Sequence, residues 1–358
     1  MPCGIGWLNV AFESSRTATG AFTLFVQSET LQGEPSFIIN ARATRLGFDV
    51  TGPVILGANT TGKIEFDFTG LAETENRSGV LLRQAYGEFK IDGFRFLAGQ
   101  TWDVISPLIP NTVNYAVGWA GGNIGYRRAQ IRGERFCELP AGHKLTVQAS
   151  LDRSIVSDFA GAPDIQGEDA GWPTVMGRVA LSAPQRAAGQ WFAEAGLSGH
   201  IGQEGVDFKT TPLTDDSRFL SWSFNADLRF GIDKVWGVQG EFFLGDVLGT
   251  FLGGINQGID PVTRQGIHSI GGWGEFWFYV TPQVHVHTGC GIDDPDNNDL
   301  GFAPDGRRSQ NQFFFANTWL DITPKFDVGG ELSWWKTQFI GLEKGEAVRA
   351  EVAFRYNF

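Results

Sequence analysis

The chain has 358 residues, with 28 Lys and Arg against 40 Asp and Glu and a formal net charge of -12. That acidic balance speaks against nucleic acid as a partner, because phosphate binding needs a basic face from which counterions are released. The 48 Gly, 30 Phe and 12 Trp stand beside only 2 Met, and no run approaches the roughly 18 consecutive apolar residues of a membrane-crossing helix, so a closed barrel is the one structure with which this chain could span a bilayer.

The opening residues, Met1-Pro2-Cys3-Gly4-Ile5-Gly6-Trp7, lack the basic and apolar stretches of a secretory signal. Export would require the chain to be a mature, truncated or mis-started form of a longer precursor. Residues 1–21 read as a short N-terminal periplasmic segment and 22–358 as an all-β transmembrane antiparallel barrel. Alternation with a period of two carries that reading, because successive side chains of a strand point to opposite faces. Alternating runs occur at 22–29, 36–51, 54–69, 80–91, 94–101, 124–134, 143–153 and 174–184. They continue at 190–201, 218–230, 234–246, 266–280, 283–292, 311–321, 325–337 and 345–358, which makes about sixteen strands. The segment after Phe219 is typical: Leu220, Trp222, Phe224, Ala226, Leu228 and Phe230 share one face, and Ser221, Ser223, Asn225, Asp227 and Arg229 the other.

A soluble sandwich would also alternate, but the connections add a second rhythm. Tight turns at Thr51-Gly52-Pro53, Asp92-Gly93, Gly231-Ile232-Asp233, Thr281-Pro282 and Thr323-Pro324 take turns with longer loops at 102–123, 154–173, 202–217, 247–265 and 293–310. Short turns on one rim and long loops on the other belong to outer-membrane barrels. Trp236, Phe278, Phe326, Tyr356 and Phe358 fall toward the short-turn rim, as aromatic girdles do, with Trp222 and Trp334 toward the other. Phe358, closing an amphipathic strand, resembles the signal with which such barrels end. The apolar face would meet outer-membrane lipid and lipopolysaccharide.

A resemblance to a known family rests on Arg42-Ala43-Thr44-Arg45-Leu46-Gly47-Phe48-Asp49 and Gly62-Lys63-Ile64-Glu65-Phe66-Asp67-Phe68, followed by Leu82-Arg83-Gln84-Ala85-Tyr86-Gly87 and Leu97-Ala98-Gly99-Gln100-Thr101-Trp102. Together these resemble the DcaP-like porins of Gram-negative outer membranes over residues 36–135. The resemblance implies a sixteen-stranded homotrimeric barrel that passes small polar solutes, often anionic ones such as dicarboxylates. The family usually carries a helical periplasmic segment before the barrel, whereas only about twenty residues precede the first expected strand here.

If one face meets lipid, the other lines the lumen. Inward basic residues would be Arg45, Lys63, Arg83, Arg95, Arg128, Arg132, Lys144 and Arg178, interspersed with Asp49, Glu65, Asp67 and Asp152. In the second half the inward set turns acidic, with Glu194, Asp227, Glu241, Glu275, Asp327, Glu331 and Glu351, and Arg229, Arg349 and Arg355 as exceptions. Consecutive strands are neighbours, so a basic wall would face an acidic one and set a transverse field. The competing reading is that the basic residues only neutralise adjacent carboxylates, as Arg83 or Arg45 could do for Glu65 or Asp67. The segment 103–123 is apolar for a solvated loop, with Pro107, Leu108, Ile109, Pro110, Val113, Tyr115, Val117, Trp119 and Ala120, and Asp103 and Asn114 join Pro107, Pro110, Tyr115 and Trp119 as candidate constriction residues. At that place general porins fold a loop inward to constrict the channel, and a contact with a neighbouring protomer is the alternative.

No enzymatic activity and no cofactor are predicted. The chain has five histidines, no GxSxG elbow and no HExxH pair. Cys3, Cys137 and Cys290 form no CxxC spacing. His285 and His287 share a strand face, as pore-lining imidazoles or as a metal pair. Asp293-Asp294-Pro295-Asp296-Asn297-Asn298-Asp299 is similar to a calcium loop but has Asp299 where its turn glycine belongs. The rival function is a structural or adhesive barrel whose lumen is plugged by its own side chains.

Overall fold

The computed structural model describes residues 1–74, 77–155, 165–166, 170–183, 189–208, 216–304 and 306–358. Sixteen strands form one closed antiparallel barrel. The first, β1, spans Pro2–Glu13, and β2 runs in two pieces, Ser36–Asn40 and Arg45–Thr51. They are followed by β3 Asn59–Thr74, β4 Arg77–Ile91, β5 Phe94–Trp102, β6 Arg127–Glu138, β7 Lys144–Asp152 and β8 Thr174–Ser182. The second half consists of β9 Trp191–Asp207, β10 Asp216–Ile232, β11 Trp236–Asp246 and β12 His268–Tyr279. It ends with β13 Val284–Pro295, β14 Arg307–Thr323, β15 Phe326–Ile340 and β16 Gly345–Asn357. Each strand pairs with the next, and β16 returns to β1 in a register running from Ile5 opposite Asn357 to Glu13 opposite Arg349.

The first strand is therefore at residues 2–13 and not at 22–29, so of the segment 1–21 residues 2–13 are part of the wall and those after Glu13 turn into the lumen. The reason is local. Leu8 and Phe12 point outward, but the inward positions of β1 include Trp7 and Ala11, both buried, Trp7 against lumen-filling residues. Apolar residues on both faces blur the alternation. Residues 22–28 turn into the lumen instead, where Leu24 and Val26 are buried, and Ser28 caps the single helical turn Glu29–Gln32.

The tight turns fall where turn chemistry places them. Asp92 (φ 44°) and Gly93 (φ 74°) make the two-residue β4–β5 hairpin, whose left-handed backbone an Asp-Gly pair accepts. Of the long loops, 154–173 lies largely outside the described residues, and much of 202–217 is strand, since β9 reaches Asp207 and β10 starts at Asp216. Among the described residues no helix is long and apolar enough to cross a membrane.

Burial follows the alternation. On β10, Phe224 and Leu228 are 44% and 51% exposed while Asn225 and Asp227 are buried. The same outward band continues through Phe37, Phe48, Ile131, Val179, Leu197, Phe276, Phe314 and Leu332, an apolar belt far beyond what the surface of a water-soluble monomer carries.

The inner face is filled from three directions. After β1, residues 14–28 bend inward; between β5 and β6, residues 103–126 do so; and between β11 and β12, residues 247–258 do so. Leu24, Val113, Tyr115, Ala116, Trp119, Ala120, Leu252 and Ile255 meet in one buried cluster. Ala120 N–H donates to Leu252 O at 3.0 Å and Gly125 N–H to Phe251 O at 2.8 Å, while Asn311 Nδ2 donates to the carbonyls of both Leu24 and Ala120.

Candidate solute passage

The segment 103–126 crosses the lumen because both its ends and its tip are fastened to the wall. At the ends, Asp103 accepts the Tyr126 N–H at 2.9 Å and faces the Arg128 guanidinium at 3.1 Å. Along the tip, Pro107 and Pro110 have no N–H, so the donors that remain are spaced between and after them. Leu108 N–H donates to Glu241 at 2.7 Å, Asn111 N–H to Glu275 at 3.0 Å and Val113 N–H to Glu331 at 2.7 Å. These glutamates come from β11, β12 and β15. Gln239 Nε2 holds Ile109 O at 3.0 Å and Asn317 Nδ2 holds Asn111 O at 2.7 Å.

Beyond the tip, Asn114 forms a two-way clasp with Thr23, its Oδ1 accepting the Thr23 N–H and its Nδ2 donating to Thr23 O. Tyr115 Oη donates to Asp67 at 2.5 Å and accepts from Arg83 at 2.6 Å, and Trp119 packs on the rings of Trp102 and Tyr126. Gly122 is pressed so close to the wall that a Cβ would lie 2.2 Å from Gly272 O, and its φ of +122° belongs to glycine. The segment is thus an inward loop of its own barrel.

This arrangement changes the meaning of the acidic wall. Glu241, Glu275 and Glu331 are buried against backbone N–H groups of the loop instead of facing a solute. Glu351 instead takes the Arg349 guanidinium at 2.9 Å, and the same arginine pairs with Glu13 across the β16–β1 seam. A sequence register shows that these side chains point inward, but it cannot show that a loop from 130 or more residues away arrives on them.

On the basic wall the neutralising arrangement holds for most members. Arg83 lies 2.7 Å from both Glu65 and Asp67. Arg95 pairs with Glu88 and Glu134, and Arg132 with Glu134. Arg178 pairs with Glu194 at 2.9 Å and Asp227 at 2.6 Å, and Lys63 with Asp49 at 3.0 Å. Lys144 lies over the Phe136 ring at 4.4 Å. Arg128 also sits over the Phe251 ring and donates to Thr250 O, which fixes the 247–258 segment.

Three arginines are held differently. Arg45 lies over Trp7 and Tyr115, Arg127 over Trp102 and Tyr126, and Arg229 over Phe192 and Trp277, all at 4.7–5.8 Å from the ring centroids. Among the described residues none of the three forms an ion pair with a carboxylate. Arg45 Nε and Arg127 Nη1 are buried without a hydrogen-bond partner, and Arg127 as a whole is only 3% exposed. Arg45 also feels the charges of Arg83, Glu65 and Arg127 through space. A desolvated guanidinium on an aromatic face gains on the order of 2 kcal/mol, which offsets only part of the cost of burying an unpaired charge. Sequence reasoning found Arg45, treated Arg229 as an exception and missed Arg127. The Arg127–Arg128 doublet was the available signal, hidden because strict alternation turns one member outward; at this strand end both are buried.

Between the loop and β6–β7 a cavity of about 200 Å³ remains, lined by Trp102, Ser106, Pro107, Leu108, Arg132 and Gln148. His200 lies between the hydroxyls of Ser221 and Ser223 and stacks on Phe251. Among the described residues no three of His, Cys, Asp and Glu gather as metal ligands do.

These features define a porin-type barrel: sixteen antiparallel strands around a lumen crossed by an inward loop between β5 and β6. The particular likeness is to the outer-membrane channel DcaP of Acinetobacter baumannii, with a TM-score of 0.78 at 16% sequence identity over 100% of this chain and 96% of that one. The fold is that of DcaP-like porins. An anion-selective porin from Comamonas acidovorans matches at a TM-score of 0.59 and 13% identity, covering 100% and 99% of the two chains. OprB of Pseudomonas putida matches at 0.62 and 10%, covering 99% and 94%. No family model and no curated protein sequence matches the chain.

Proposed function

We propose that the chain is a porin of a Gram-negative outer membrane, a passive diffusion channel for small hydrophilic solutes that favours anions, dicarboxylates among them. It works as a homotrimer with its apolar belt in contact with lipid and lipopolysaccharide, and it needs neither cofactor nor catalytic group. The fold supports the channel, and the trimer-form structure of Vibrio cholerae OmpT, similar at a TM-score of 0.58, supports the assembly. The observation that carries the anion preference is the imbalance inside the lumen. Among the described residues Arg45, Arg127 and Arg229 hold their charge over aromatic rings without a direct ion pair, while Glu241, Glu275 and Glu331 are turned to backbone donors. A carboxylate entering such a site meets planar forks already fixed in place by aromatic rings.

The test is the reversal potential of the purified protein in planar bilayers under a salt gradient. Anion preference is expected, and Arg45→Gln with Arg127→Gln should move the potential toward the cation side. An unchanged potential in the double variant would sink the assignment of these residues. The rival reading, a structural or adhesive barrel, is favoured by the packing of three segments in the lumen. It predicts no conductance at all.

A further inference from the structure

Trp7 carries the ring on which two arginines from different parts of the chain converge. On one side of β1, β16 sets Arg355 directly opposite Trp7. On the other side, the second piece of β2 sets Arg45 opposite Ile5, the next residue along the same inward face. Side chains at direct and diagonal cross-strand positions lie within reach of one another. The guanidinium carbon of Arg45 is 5.6 Å from the centroid of the Trp7 ring, and that of Arg355 is 5.4 Å from it. Each has a second ring of its own, Tyr115 at 5.8 Å for Arg45 and Trp319 at 3.7 Å for Arg355.

The indole is fixed at several points. Its Nε1 donates to Asn9 Oδ1, the Trp7 N–H donates to Thr44 Oγ1 at 3.1 Å, and that hydroxyl donates back to Trp7 O at 3.3 Å. The Tyr115 ring meets it edge-on at 6.2 Å. Acceptors for the two cations are scarce by comparison. Arg355 gives its Nε to Asp327 on β15, which is its one carboxylate among the described residues. Glu65 and Asp67, on the strand beside Arg45, are taken by Arg83, and Arg45 Nε is buried without a partner. Trp319 Nε1, under Arg355, is also buried without an acceptor. Two positive groups therefore share one ring, and a single carboxylate answers them.

We propose that Trp7 is the positioning residue of a two-armed anion station made by Arg45 and Arg355, so that Arg355 determines selectivity together with Arg45. The inference rests on the anion-favouring channel proposed above. The negative face of an indole attracts each guanidinium and offsets part of the repulsion between the two. It also fixes the planar forks in orientation, with their outer donors left for a solute. Without the ring both charges remain, but nothing holds them out: Arg45 is released toward Glu65 and Asp67, and Arg355 closes on Asp327. A cation folded onto its own carboxylate no longer draws an anion.

The test is the reversal potential of the full-length protein in planar bilayers across a potassium chloride gradient. Wild type should favour chloride. Trp7→Leu removes no charge, yet it should move the potential toward the cation side, and Trp7→Phe, which keeps an aromatic face, should restore most of the wild-type value. Arg355→Gln with Asp327→Asn leaves the net charge unchanged and should also move the potential toward the cation side; if Arg355 only neutralises Asp327, this pair of substitutions changes nothing. In a background carrying Arg45→Gln, Arg355→Gln and Asp327→Asn, Trp7→Leu should add no further shift. An unchanged potential in Trp7→Leu or in the Arg355–Asp327 variant, or a Trp7→Leu shift that persists in that background, overturns the station. Should Trp7→Leu give no folded barrel, the Arg355–Asp327 variant decides by itself. A wild-type channel without preference for chloride would instead overturn the anion reading on which the station rests.

Discussion

The two walls of the lumen solve the same problem in opposite ways. On the wall from β3 to β9, charge is neutralised by neighbours one or two strands away, as with Arg83 between Glu65 and Asp67 or Arg178 between Glu194 and Asp227. On the wall from β11 to β15, Glu241, Glu275 and Glu331 find their partners in the backbone of a single loop that begins at the end of β5. The first wall is a set of local pairs. The second is a docking rail, whose carboxylates accept from the backbone of that loop.

Breaking the local wall should have the largest effect. Arg83→Met leaves two buried carboxylates and the Tyr115 hydroxyl facing one another without a cation, at a cost of about 3–5 kcal/mol for breaking a buried ionic group. The folded barrel should then unfold at a lower temperature in a heat-modifiability gel. Glu331→Leu should cost less, about 1–3 kcal/mol, because it strands neutral donors, the Val113 N–H and the Asn317 amide, rather than a charge. The comparison is sharpest here: this variant should make single-channel current noisier while leaving the reversal potential in place. A large shift in that potential would mean that the rail does face the solute after all.

The smallest effect is expected at Asp260, in the loop between β11 and β12. Burial pushes its carboxyl up, but the N–H groups of Thr263, Val262 and Gly301 and the Arg307 guanidinium outweigh burial and hold it below its ordinary value of 3.8. A depressed carboxyl stabilises its surroundings above the unfolded value and loses that contribution as pH falls through the folded one. Protease resistance of this loop should therefore be constant at neutral pH and decline only in strong acid, and Asp260→Asn should remove the decline.

The legible parts of the molecule were those in which one face of a strand meets a uniform medium. Fifteen of the wall strands follow from alternation because lipid asks only that every second residue be apolar, as on β10. β1 escaped because its inward face carries the buried Trp7 and Ala11, Trp7 packing on lumen-filling residues, so neither of its faces is polar throughout. The inward loop was legible from its apolar text, since a segment holding Val113, Tyr115 and Trp119 must bury them somewhere. Its contacts were not, because Leu108 meets Glu241 through a backbone N–H that every non-proline residue possesses. Arg127 was lost for a similar reason: its parity is that of a wall position, and its burial is decided by where the chain leaves the wall.

The joint between the two chain ends has its own consequence. β1 and β16 lie more than 330 residues apart, yet chain-closure entropy grows so slowly that each doubling of length costs only about 0.6 kcal/mol. What holds the cylinder shut is therefore decided by the hinge line itself, where Gly4 and Phe358 exchange backbone bonds at one end and Glu13 meets Arg349 at the other. The ring is therefore shut only when both β1 and β16 are in place along this line.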